Sequence, residues 1–126
     1  MLASSKAFSG FAVDDLEKAR QFYGETLGLK VTVLDEENGL LTLHLAGDRD
    51  TLAYLSPGFT PASYTMLNFP VDDIDQAVDD LEARGIVFER YEGMPQDEKG
   101  VMREGGPFIA WFKDPAGNTL SVLQER

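Results

Sequence analysis

The sequence predicts an α+β chain made of two tandem βαβββ modules within a single domain, residues 1–126. The first observation is a duplication. Phe11-Ala12-Val13-Asp14-Asp15-Leu16-Glu17-Lys18-Ala19 returns as Phe69-Pro70-Val71-Asp72-Asp73-Ile74-Asp75-Gln76-Ala77. The second is that each copy closes an apolar run and opens a helical pattern ended by a glycine, Gly28 or Gly85. The third is that short segments of alternating hydrophobicity follow each helix, as half-buried strands do. Two copies are too few for a solenoid, so they read as a duplicated supersecondary unit.

In the first module, residues 7–56, residues 7–13 read as a strand. Asp14 is placed to cap the next helix, with Glu17 completing a capping box over the first-turn N–H groups. Leu16, Ala19, Tyr23 and Leu27, widened by Phe22, make the apolar stripe, and Gly28 suits a left-handed C-terminal position. Residues 29–35 alternate Leu29, Val31 and Val33 against Lys30 and Thr32. Asn38-Gly39 signals a hairpin turn into a return strand over residues 40–46. Residues 47–50 then turn into a strand over 51–56.

Residues 57–63, with Pro57, Gly58 and Pro61, form the joint. The second module, residues 64–124, repeats the order. A strand over 64–71 leads to Asp72 as cap, then a helix with the stripe Ile74, Ala77, Val78 and Leu81. After Gly85 come a strand over 86–91, a long polar loop over 92–106, and strands over 107–113 and 119–124 around a tight turn. The long loop has no counterpart in the first module. It reads either as a lid or as a solvated excursion, with Lys99, Arg103 and Glu104 near the pocket mouth in the first case.

Bulk properties narrow the function classes. A net charge of −11 gives no attraction to nucleic-acid phosphates or an anionic membrane, so neither is expected as a partner. The absence of cysteine excludes a disulfide framework, a thiolate zinc site and a cysteine nucleophile. No apolar run approaches the roughly 20 residues of a membrane span. Residues 1–6 lack the apolar region of a secretory signal, so the expected address is cytoplasmic. The acidic run Asp72, Asp73, Asp75, Asp79, Asp80 fits a helix N-terminal half and a solvated face.

Three stretches together resemble the vicinal oxygen chelate superfamily, which includes glyoxalase I, extradiol dioxygenases, and fosfomycin- and bleomycin-resistance proteins. They are Val13-Asp14-Asp15-Leu16-Glu17-Lys18-Ala19, then Phe22-Tyr23 with Leu27-Gly28-Leu29, and Phe112-Lys113-Asp114-Pro115-Ala116-Gly117-Asn118. The last is the most specific, and with the duplication the resemblance spans nearly the whole chain. It implies concave mixed sheets, one helix outside each, and a pocket enclosed by the concave faces. In metal-dependent members it further implies a His or Gln and Glu set from the first and fourth strands of each module. Counted from Asp15, Asp73 and Asn118, those positions fall on Phe8, Tyr54, Met66 and Ser121. Phe has no donor, and thioether and hydroxyl are weak ligands for Zn²⁺, Ni²⁺, Fe²⁺ or Mn²⁺.

Strand alternation leads to the same place without the family. One face reads Phe8/Gly10/Ala12, Leu52/Tyr54, Met66/Asn68/Pro70 and Thr119/Ser121/Leu123, with no carboxylate and no imidazole. No metal and no other cofactor is expected. The expected ligand-binding residues are Phe8, Tyr54, Met66, Asn68, Trp111 and Ser121, around a small, partly apolar or aromatic molecule. No catalytic residue is assigned. The resemblance points to a metal-independent homodimer of the bleomycin-resistance-like kind, an antibiotic-sequestering or resistance-type protein. For Trp111 and Phe108, core packing and an aromatic wall both stand, and His44, the sole histidine, reads as structural or functional. Two other readings remain. One is a metal-dependent glyoxalase-, lyase- or dioxygenase-like enzyme with ligands displaced onto His44, Glu92, Glu104 or Glu125. The other is a degenerate module that binds another protein.

Overall fold

The computed structural model describes all 126 residues, and the chain divides into two compact units, Met1–Thr60 and Pro61–Arg126. The first unit runs β1 (Ser9–Val13), α1 (Leu16–Gln21), β2 (Lys30–Asp35), β3 (Leu40–His44) and β4 (Thr51–Leu55). Its sheet is ordered β1-β4-β3-β2, with β1 parallel to β4 and the other pairs antiparallel. Val13, Ala19, Tyr23, Leu41, Leu43 and Ala53 form its core. Helix α1 lies against β3 and β4.

The helix starts one residue later than the sequence suggests. Asp15, not Asp14, is the cap: its backbone is extended and its Oδ1 accepts from Lys18 N at 3.0 Å. Glu17 closes no capping box, because its carboxylate pairs with Arg20 instead. Beyond Gln21 the helix widens into a π turn over Phe22–Thr26, closed by Leu27 N donating to Phe22 O at 2.9 Å. That turn carries two consecutive rings, Phe22 and Tyr23, into the core, edge to face at 5.1 Å.

The β2–β3 hairpin has a longer loop than a two-residue Asn-Gly turn. Asp35 pairs with Leu40, so residues 36–39 form the loop, and an irregularity between Val33 and Asp35 shifts the register. Asp35 holds the loop by accepting from Asn38 N at 3.0 Å and from its side-chain amide at 2.7 Å. Gly39 is required on two grounds. Its φ is +70°, and a Cβ there would stand 2.5 Å from Leu55 Cβ.

The second unit runs β5 (Thr65–Pro70), α2 (Ile74–Ala83), β6 (Phe108–Lys113) and β7 (Thr119–Gln124), with sheet order β5-β7-β6. The same one-residue shift recurs: Asp73, not Asp72, caps α2 by accepting from Gln76 N at 3.1 Å. Helix α2 packs on β6 and β7, burying Ile74 and Val78 near Ala110, Phe112, Leu120 and Val122. The expected strand over 86–91 is not a strand. Its alternation is real, with Ile86 and Phe88 buried and Val87 exposed, but one backbone bond, Glu89 N to Trp111 O at 2.8 Å, ties it to β6. The Gln96 side chain replaces the ladder, accepting from Tyr91 N at 2.7 Å and donating to Glu89 O at 2.9 Å.

Residues 92–106 are folded back rather than loose. Met102 and Ile109 exchange two backbone bonds, and Val101 is fully buried. Asp97 organises the centre, accepting from Lys99 N, Val101 N and Arg103 Nε. Arg103 also reaches Asp75 on α2 at 2.7 Å, and Lys99 reaches Asp79 at 3.0 Å. The turn before β7 satisfies itself: Asp114 accepts from Ala116 N and Asn118 N, while Gly117 at φ +94° faces Pro61. The Asp-Pro-Ala-Gly-Asn run is therefore a folding device.

Candidate functional site

In the second unit the ladder aligns three of the expected residues. Asn68 on β5 stands opposite Ser121 on β7, and Ser121 opposite Trp111 on β6. Directly opposed residues share a sheet face, so the three form one row. Ser121 is fully buried and its hydroxyl donates to Asn68 Oδ1 at 2.6 Å. Trp111 is half-buried; its indole N–H donates to Thr65 Oγ1 at 3.0 Å and its ring makes a T-shaped contact with Tyr91, centroids 5.5 Å apart. Met66 sits beside the row, at the irregularity between Thr65 and Leu67. Burial, then the nearby Glu89 charge, raises the Tyr91 phenol above its usual range.

Thr65 and Tyr91, which orient Trp111, were not among the residues read from sequence. Thr65 begins β5 and Tyr91 ends the segment held by Gln96, so neither bears a signal before the chain is folded.

In the first unit Phe8 and Tyr54 stand at different points of the register. Phe8, 70% exposed, precedes β1 and lines an apolar hollow of ≈ 420 Å³ with Leu34, Leu40, Thr42, Asp50 and Leu52. Tyr54 stands opposite Ala12 and Leu40. Ala12 lies four residues along from Phe8, about 13 Å at the rise of a strand. His44, on the same face, has both ring nitrogens engaged. Nδ1 lies 3.1 Å from Asp50 Oδ1 and Nε2 lies 2.7 Å from Thr32 Oγ1.

A divalent ion of the kind the fold family implies does not fit the residues present. The counted positions hold Phe8, Tyr54, Met66 and Ser121, and the Ser121 hydroxyl is spent on Asn68. No group of three His, Cys, Asp or Glu side chains is placed to hold a metal ion. Lys99 and Arg103 are engaged by carboxylates of α2 and of the loop itself. Bonding to Asp97 and Asp75 raises the Arg103 guanidinium further above its already high range. No helix is long and apolar enough to cross a membrane.

Comparison with known proteins follows the same architecture. An uncharacterised protein of Bacillus subtilis, YraH, is 30% identical over 125 residues, covering 89% of this chain and 91% of the relative. The crystal structure of TnmS3, an antibiotic-binding protein from a Streptomyces species, matches with TM-score 0.66 and 26% identity, covering 98% of both chains. The fosfomycin resistance protein FosX of Listeria monocytogenes matches with TM-score 0.72 at 13% identity, covering 98% of this chain and 92% of that one; it shows the fold alone. The model of the glyoxalase/bleomycin resistance protein/dioxygenase superfamily matches residues 7–122, so the chain belongs to that superfamily.

Proposed function

We propose that this protein binds a small, partly apolar or aromatic molecule without a metal ion, as a sequestering or resistance-type protein does. The observation that carries the reading is the row Asn68–Ser121–Trp111. Trp111 is half-buried with its N–H held by Thr65 and its ring oriented by the T-shaped contact with Tyr91, an aromatic wall fixed in place for a flat ligand. Ser121 fixes the Asn68 carbonyl, so the exposed Asn68 amide N–H₂ is oriented to donate to a ligand acceptor. Met66 gives the edge of the row an adaptable side chain. Phe8 and Tyr54 are proposed separately, as apolar contacts on the first unit's own sheet. Support also comes from the likeness to an antibiotic-binding protein at 26% identity.

The donor set argues against chelate chemistry, since each family ligand position carries a side chain that binds the relevant ions weakly or not at all. A homodimer is part of the proposal, and sedimentation at micromolar concentration tests it. The binding claim is tested by a thermal-shift screen of flat aromatic and glycopeptide antibiotics on untagged protein. A ligand at 100 times its Kd stabilises by about 2.7 kcal/mol, a shift readily seen. A screen in which only divalent ions raise the melting temperature contradicts the proposal.

A further inference from the structure

The His44 constellation is not used by the binding row. A carboxylate can only accept, so Asp50 fixes the proton of a neutral His44 ring on Nδ1. Nε2 is then the acceptor for the Thr32 hydroxyl at 2.7 Å. This is a nucleophile hydroxyl, a base, and a group that orients the base, each within hydrogen-bond reach of the next. The surrounding register adds two parts. Lys30 stands directly opposite His44 and shares a strand face with Thr32, and Thr32 stands opposite Thr42. Thr42 and Asp50 themselves line the apolar hollow of ≈ 420 Å³ with Leu34, Leu40 and Leu52. Thr32 is exposed and its strand is already fixed by the hairpin ladder, so the relay leaves the hydroxyl accessible.

We propose that Thr32, His44 and Asp50 form a hydrolytic site for small apolar carboxylic esters, working through an acyl-threonine. Thr32 Oγ1 attacks the ester carbonyl carbon, and its proton passes to His44 Nε2 as the Oγ–C bond forms. The Lys30 ammonium faces the oxyanion, and the acyl chain lies against Leu34, Leu40 and Leu52. Collapse breaks the bond to the leaving alcohol, which takes the proton from His44. Water then adds to the acyl-threonine by the same route, releasing the acid and restoring the hydroxyl. Asp50 acts as a positioning residue, holding the ring tautomer. This site stands independently of the ligand reading for the second unit.

The test is nitrophenolate release from p-nitrophenyl butyrate by the untagged full chain, with the acyl adduct mapped by mass spectrometry. Wild-type protein releases nitrophenolate above buffer and carries a butyryl group on Thr32 that hydroxylamine removes. Thr32→Val keeps a β-branched strand residue and folds, but falls to background with no adduct. His44→Gln loses about a hundredfold of the rate, the scale of a general base. Asp50→Asn slows release and reduces trapped Thr32 adduct together. Release unchanged in Thr32→Val overturns the proposal. So does an acyl group found only on lysines as a hydroxylamine-stable amide, or no release above buffer.

Discussion

Ser121 donates to Asn68 at 2.6 Å from a position with no solvent exposure, bridging β7 and β5 on the face that also carries Trp111. The bond turns a buried hydroxyl from a cost into a fixture and orients the amide beside it. Ser121→Ala leaves no buried orphan at 121 but frees the Asn68 carbonyl. Urea unfolding is expected to show a loss of about 1 kcal/mol. Ligand affinity drops with it through loss of amide orientation, whereas Ser121→Cys recovers packing but not affinity.

The one-residue shift of both helix caps separates neighbouring aspartates. Asp73→Ala removes the acceptor for Gln76 N and is expected to cost about 1 kcal/mol. Asp72→Ala, which caps nothing, is expected within about 0.5 kcal/mol of wild type. Equal losses in a denaturation series contradict the cap assignment.

The loop over 92–106 is held to α2 by charge. Arg103 bonds Asp75 and Asp97 and lies 5.1 Å over the Phe108 ring. Arg103→Gln is expected to make this segment the first site of limited proteolysis, with the rest of the chain resistant longer. Wild type is expected to show the same sensitivity in high salt, where partly exposed pairs are screened.

Asp97 gives the pH dependence a sign. Burial raises its pKa, but bonds from Val101 N, Arg103 and Lys99 N outweigh it and hold the carboxyl below its ordinary range. A lowered folded-state pKa contributes stability that is fully present above the unfolded value of about 3.9 and is lost as pH falls through the folded value. The stability gap between wild type and Asp97→Asn is therefore expected to stay constant from neutral pH to the mildly acidic range and to close below it. A gap that closes at alkaline pH instead contradicts the assignment.

The duplication around Asp14-Asp15 and Asp72-Asp73 made the two modules and their helices legible, because capping, periodicity and a terminal glycine agree at each site. The cap position was not legible, since two adjacent aspartates offer the same chemistry and only backbone conformation chooses between them. Residues 86–91 alternate as a strand should, yet a Gln96 side chain takes the bonds that a neighbouring strand would. Strand alternation was enough to put Asn68 and Ser121 on one face, whereas Trp111 joins them only through the β6–β7 register. The Thr32–His44–Asp50 alignment was not, because the irregularity after Val33 moves the hairpin register away from what Asn38-Gly39 implies.

Trp111 is the only tryptophan, so its emission reports directly on the proposed site. The decisive measurement is a titration of that emission with the antibiotics retained from the thermal screen, in excess chelator and again with added Zn²⁺, Ni²⁺ or Mn²⁺. Metal-free binding predicts saturable quenching with the same Kd in every condition, weakened at least about tenfold in Asn68→Ala, a loss of about 1.4 kcal/mol. Quenching that disappears in chelator and returns at one equivalent of a divalent ion would contradict it.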